Sequence, residues 1–187
     1  MNNKFKFILS ALFVLSSATY CFAQNNGNTM TVTNATANAT MITPINLVQT
    51  AGVNMNFGSV VGSVAGTVIL LPAGTGAPTY STGLLGYAGS GATPTAASFT
   101  VSGNKSASYN LTLPSTPLTL VGPSGSTAMT VTAMTTNLGS LTSGSLTSNL
   151  GTTGSILFYI GGTLNVGASQ AAGAYLSAPF AVTVNYN

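Results

Sequence analysis

Residues 97–113 read Ala97-Ser-Phe-Thr-Val-Ser-Gly-Asn-Lys-Ser-Ala-Ser-Tyr-Asn-Leu-Thr-Leu113. Phe99 and Val101 alternate with Ser98, Thr100 and Ser102. Tyr109, Leu111 and Leu113 alternate with Asn110 and Thr112. A period of two places one set on each face of a strand, apolar side chains inward and hydroxyls or amides outward. Gly103-Asn104 between the runs predicts a tight turn, so the segment reads as a β-hairpin.

The same pattern recurs along most of the chain. Strands are expected at Asn34–Thr43, Ile45–Val48, Val53–Val60, Gly66–Leu71, Leu118–Val121, Met129–Thr135, Ile156–Ile160, Thr163–Val166 and Tyr175–Tyr186. The runs are β-branched or aromatic and are separated by Gly, Pro, Asn and Ser. Ile156–Ile160 is apolar on both faces and reads as a central strand. Residues 73–94 and 136–154 are weakly patterned and read as loops. No stretch after residue 23 keeps a 3.6-residue period. Many short strands with no helix predict an all-β fold, a β-sandwich in preference to a barrel.

Composition narrows the chemistry. The 187 residues contain no Asp, Glu or His, and the only charged side chains are Lys4, Lys6 and Lys105. Acid–base catalysis at neutral pH needs a carboxylate or an imidazole, so no catalytic residue and no enzyme is expected. Metal sites need carboxylates, imidazoles or thiolates, so neither metal nor cofactor is expected. Nucleic acid, which needs many cations, is not expected as a partner. Ser102-Gly103-Asn104-Lys105 matches S-x-x-K, but it lies in a turn without partner motifs. Leu113-Pro114-Ser115-Thr116-Pro117 is only a punctuated turn. Outside the terminal segment, Lys105 and the tyrosines, nothing titrates, so stability should be flat from about pH 4 to 9.

Residues 1–23 read as a secretory signal peptide. Lys4 and Lys6 form its basic start, Phe7–Val14 its apolar centre, and Cys21-Phe22-Ala23 its cleavage site. Cleavage removes the only Cys, so disulfides are not expected to stabilise the exported chain. The product is a secreted, cell-surface protein that is not embedded in a membrane. Residues 24–34 form an N-terminal extension, and 35–187 a single sandwich domain. Apolar residues fall at Met30 and Val32, then shift register to Ala35, Ala37, Ala39 and Met41. One strand cannot change face without a break, so the extension reads as a separate strand. With almost no charge to keep copies apart, self-association is expected.

The C-terminal run places Phe180, Val182, Val184 and Tyr186 on one face, behind Gly173. That combination resembles the C-terminal signature of chaperone–usher pilins. The resemblance implies an incomplete immunoglobulin-like β-sandwich of the pilin or adhesin type, completed by a donor strand. It also implies a homopolymeric fimbria, and export through the periplasm of a Gram-negative bacterium with a periplasmic chaperone and an outer-membrane usher. Candidate donor residues are Met30, Val32, Ala35, Ala37, Ala39 and Met41. The expected acceptor groove is lined by Ile156, Phe158 and Ile160. The alternatives are a glycan-binding adhesin, with Tyr80 and Tyr87 as stacking platforms on the 73–94 loop, and a small outer-membrane barrel.

Further blocks resemble a family of Bacteroidota secreted proteins, domain of unknown function 4402. They are Met55-Asn56-Phe57-Gly58, Gly66-Thr67-Val68, Ala97 through Gly103, and Leu111-Thr112-Leu113-Pro114. Ile160 through Val166, Gln170 through Gly173, and Val182 through Tyr186 complete the set. The resemblance implies an exported, fimbria-like sandwich.

Overall fold

The computed structural model describes residues 34, 36–74, 77–89 and 93–187. Two units divide the chain, Met1–Met41 and Ile42–Asn187. In the first, the described residues are exposed and form no strand, which overturns the strand expected over Asn34–Thr43. Its small Ala side chains offer little area to bury, and burial is what fixes a strand in place.

Every regular element among the described residues is a strand. In order they are β1 (Asn46–Gln49), β2 (Ser59–Val61), β3 (Gly66–Leu70), β4 (Thr79–Tyr80), β5 (Leu85–Tyr87), β6 (Ala97–Ser102) and β7 (Ser108–Thr112). They continue as β8 (Leu118–Val121), β9 (Met129–Thr136), β10 (Ser145–Asn149), β11 (Ser155–Val166), β12 (Leu176–Ser177) and β13 (Thr183–Tyr186). β4, β5 and β10 fall in stretches that read as loops.

The large sheet runs β1-β6-β11-β9-β8-β12, with β3 on β11 and β4 on β3. It is open, ending at β1 on one side and β12 on the other. Its spine is β11. One edge of β11 holds two strands in tandem: β6 pairs along Ser155–Ile160, and β3 along Gly162–Val166. Gly161 is the seam, because a Cβ there would sit 2.1 Å from the Leu70 carbonyl oxygen. Gly161-Gly162 therefore does not break the chain into two strands, as expected from sequence. It lets one long strand pass where two neighbours meet. On the other edge, β9 follows both halves through a register shift between Gly161 and Thr163, with Ala133 of β9 in the left-handed region at φ 46°.

A second sheet contains β10-β7-β13, and β2 pairs with β5 in a third. The large and three-stranded sheets share one apolar core. Val101, Phe158, Ile160 and Val131 enter it from the large sheet, and Tyr109, Leu111 and Leu146 from the smaller one. Phe99 and Phe158 face each other across β6 and β11 with ring centroids 5.6 Å apart.

The hairpin expected at Gly103-Asn104 is corrected. β6 and β7 are both strands, but they lie in different sheets. Both edges of β6 are taken, by β1 and by β11, so the chain arches across the core instead of folding back alongside. The arch is fixed by Gly103 N–H donating to the Gly154 carbonyl and Ala107 N–H to the Asn104 carbonyl.

Candidate functional site: the free edge of the last strand

β13 is the edge of the three-stranded sheet. It pairs with β7 in the register Thr183↔Thr112, Val184↔Leu111, Asn185↔Asn110 and Tyr186↔Tyr109. Asn187 N–H donates to the Ser108 carbonyl. In an antiparallel ladder bonded residues alternate. The backbone groups of Thr183 and Asn185 therefore point at β7, and those of Val184 and Tyr186 point outward. No backbone hydrogen bond takes up these outward groups among the described residues.

The side chains of Val184 and Tyr186 turn the other way, onto the core. Phe180 and Val182, just ahead of the strand, join them, and all four are only half-buried. Across the corner lies β1, the edge of the large sheet. Its Leu47, with Ile45 ahead of it, is also half-buried on the core. β1 and β13 approach each other but do not pair. The corner is thus a seam between two unpaired edges, with incompletely covered apolar side chains below it.

One end of the seam is closed by Tyr186. Its hydroxyl accepts from Asn104 N–H at 2.6 Å and donates to the Thr43 carbonyl at 2.6 Å. Gly103 is needed there, because a Cβ at that position would lie 2.2 Å from the Tyr186 oxygen. The last strand, the β6–β7 arch and the segment entering β1 are therefore joined at one point.

The other anticipated residues are distributed differently. Tyr175–Tyr186 is not one strand. Leu176–Ser177 pairs with β8 on the large sheet, and the chain then crosses to the smaller sheet as β13. Pro179, which cannot donate to a ladder, lies in the crossing. Gly173 is remote from the strand, in a turn against Pro123, with φ 147°. Phe158 and Ile160 are wholly buried in the middle of the large sheet, and only Ile156 of that trio is half-buried. They floor the core and do not line an open groove. Met30, Val32 and Ala35 lie outside the described residues. Ala37, Ala39 and Met41 are exposed without strand structure. Tyr80 packs on the core with its ring against Gly86, so only Tyr87 is free on the surface. Ile45, Leu47 and Thr43 were not singled out from sequence, because only the tertiary approach of β1 to β13 gives them meaning.

Tyr109, opposite Tyr186 on β7, is fully buried and its hydroxyl has no hydrogen-bond partner. Burial pushes its pKa above the ordinary phenol value, and the nearby Ser148 hydroxyl offsets part of that rise without reaching hydrogen-bonding geometry. Among the described residues no cluster of His, Cys, Asp or Glu could hold a metal, and no helix is long and apolar enough to cross a membrane.

The sequence profile of a family described as Domain of unknown function (DUF4402) matches residues 45–186, and the chain belongs to that family. No curated protein and no solved structure matches it.

Proposed function

We propose that this family member is a pilin-like structural subunit of an extracellular fimbria or filament, assembled without covalent bonds by β-strand complementation. In this reading the Ile42–Asn187 domain is an immunoglobulin-like sandwich that lacks one strand. The N-terminal segment of another copy supplies it by pairing with the outward backbone of β13. The observation that carries the reading is the state of β13: a terminal edge strand with unpaired outward backbone and an inward stripe, Phe180, Val182, Val184 and Tyr186, left half-covered.

The energetics favour occupation of that edge. An exposed edge is a template for another strand, and soluble proteins usually blunt it with charge. Lys105 is the only charged side chain after residue 6, and it lies in the arch. Covering the exposed halves of the stripe contributes about 1 kcal/mol per side chain. Each new ladder bond adds about 1 kcal/mol net. Together these give slow dissociation. The segment before β1 leaves the domain next to Thr43, at the corner held by Tyr186. A chain entering a neighbour from there needs no rearrangement of the core.

The test is deletion of residues 24–34 from the exported protein, followed by electron microscopy. Loss of filaments with a folded, soluble domain supports the reading. Filaments as abundant as those of the intact protein overturn the assignment of the donor.

A further inference from the structure

A second site lies on the outer face of the three-stranded sheet. The register aligns Thr147, Asn110 and Asn185 in one row across β10, β7 and β13, and Ser145, Thr112 and Thr183 in the next. Every one of these outward positions is a hydroxyl or a carboxamide. Over the β10–β7 half stands a cleft of about 500 Å³, walled by the Leu138–Thr142 segment.

The cleft is held in shape before any ligand arrives. Thr142 and Ser145 exchange both backbone hydrogen bonds around Ser143 and Gly144, whose φ angles are 51° and 81°. That is a tight hairpin turn with two left-handed residues. Leu113 N–H donates to the Gly144 carbonyl and ties the turn to the sheet. On the floor, Thr147 Oγ1 donates to Asn110 Oδ1 at 2.7 Å, and Asn110 Nδ2 donates to Asn187 Oδ1 at 2.6 Å. Thr112 and Ser145 share a hydrogen bond at 3.0 Å. These bonds orient the floor without exhausting it: a hydroxyl keeps acceptor capacity, and Asn110 keeps a second N–H.

No charged side chain lines the cleft. A charged ligand would give up water there without meeting a counter-charge. A ligand whose own groups are hydroxyls, each donor and acceptor at once, meets complementary partners at every position. Leu138, half-buried on the wall, supplies apolar contact for its C–H groups. The volume falls in the range of small-molecule sites. We infer that this cleft binds a neutral oligosaccharide. The site is independent of the β13 edge, since the side chains involved face away from the core and β13's outward backbone is not used.

The experiment is an NMR titration of the folded protein with neutral oligosaccharides built from glucose, mannose, galactose, xylose and N-acetylglucosamine, beside sialyllactose and a heparin fragment. At least one neutral probe is expected to shift Asn110, Thr112, Ser140 and Thr147, with a Kd that changes less than about twofold between low and high salt. Thr147→Ala and Asn110→Ala, both on the solvent face, should weaken that binding about tenfold by removing hydrogen-bond partners. Tyr87→Ala should leave it unchanged. The inference is overturned if no neutral probe shifts these residues at about 10 mM, a concentration that occupies about nine-tenths of a site with a Kd of about 1 mM. It is equally overturned if the charged probes bind best, or if Tyr87→Ala abolishes binding while Thr147→Ala does not.

Discussion

β11 and β13 both carry apolar residues on a core-facing side, yet they are in opposite situations. β11 is paired along both edges, and Phe158 and Ile160 are fully buried. β13 is paired along one edge only, and Val184 and Tyr186 are half-buried. In β11 the positions between the core residues include Leu157 and Tyr159, although that face is not covered, since Leu157 is exposed and Tyr159 half-buried. In β13 the intervening positions are Thr183 and Asn185. What separates the two is edge pairing and not the polarity of the outward residues, since β6, paired along both edges, also alternates with Ser98, Thr100 and Ser102. In this chain the border strand is the one that can accept a partner.

The sharpest break in the comparison is at the spine. Phe158→Ala should destabilise the domain by about 3–5 kcal/mol, the cost of a large cavity with little room to collapse. Urea unfolding at neutral pH would measure it. Val184→Ala on the edge strand should cost the isolated domain about 1 kcal/mol, because half of that side chain already meets water. Its effect on filament yield should be larger than that figure suggests, since the same methyls would be covered on assembly. Equal losses at the two positions would show that β13 is as enclosed as β11.

Tyr186→Phe comes next. The ring remains, but the Asn104 amide and the Thr43 carbonyl each lose a partner, at a combined cost of about 1–3 kcal/mol. Thermal unfolding of the domain would read it, and the corner between β1 and β13 should exchange amide protons faster.

The smallest effect, and the one of opposite sign, belongs to Tyr109. Tyr109→Phe removes a buried hydroxyl that has no partner and should stabilise the domain by about 1 kcal/mol. Its raised pKa adds a pH signature. The unfolded chain releases this proton near the ordinary phenol value of about 10, while the folded chain holds it to higher pH. The parent's stability is therefore at its full value below about pH 10 and falls as pH climbs from there toward the folded pKa, while Tyr109→Phe does not share that loss. Stability curves of the parent and of Tyr109→Phe should run parallel from about pH 4 to 9 and separate above about 10. Parallel curves throughout would remove the phenol from the account.

Much of the fold was legible because the alternation is strong where it matters. Tyr109 and Leu111, and Val182 and Val184, face the core as their spacing predicts. Val131 and Met134, three residues apart, both reach it only because β9 is irregular at Ala133, where the register shifts. What was illegible is pairing. Gly103-Asn104 announces a reversal, but turn chemistry does not say whether the chain stays in its sheet or crosses to the other. That depended on β1 and β11 having already taken both edges of β6. Gly161-Gly162 reads as a break because two glycines usually mark one, whereas here the missing side chains admit the end of β3. Of the candidate site, Val184 and Tyr186 could be read from the terminal ladder. Ile45 and Leu47 could not, since nothing local sets them beside β13. The uncharged cleft was hidden by its own composition: Ser, Thr and Asn occur throughout the chain, and only the register gathers them.

The central claim is tested most directly by amide hydrogen exchange at Val184 and Tyr186, measured in the domain lacking residues 24–34 and in the assembled intact protein. Their outward amides should exchange rapidly in the truncated domain and at least about a hundredfold more slowly in the assembly, as ladder bonds do when formed. The amides of Thr183 and Asn185, already bonded to β7, should change far less. Equal protection of Val184 and Tyr186 in both samples would mean that no strand is added at this edge.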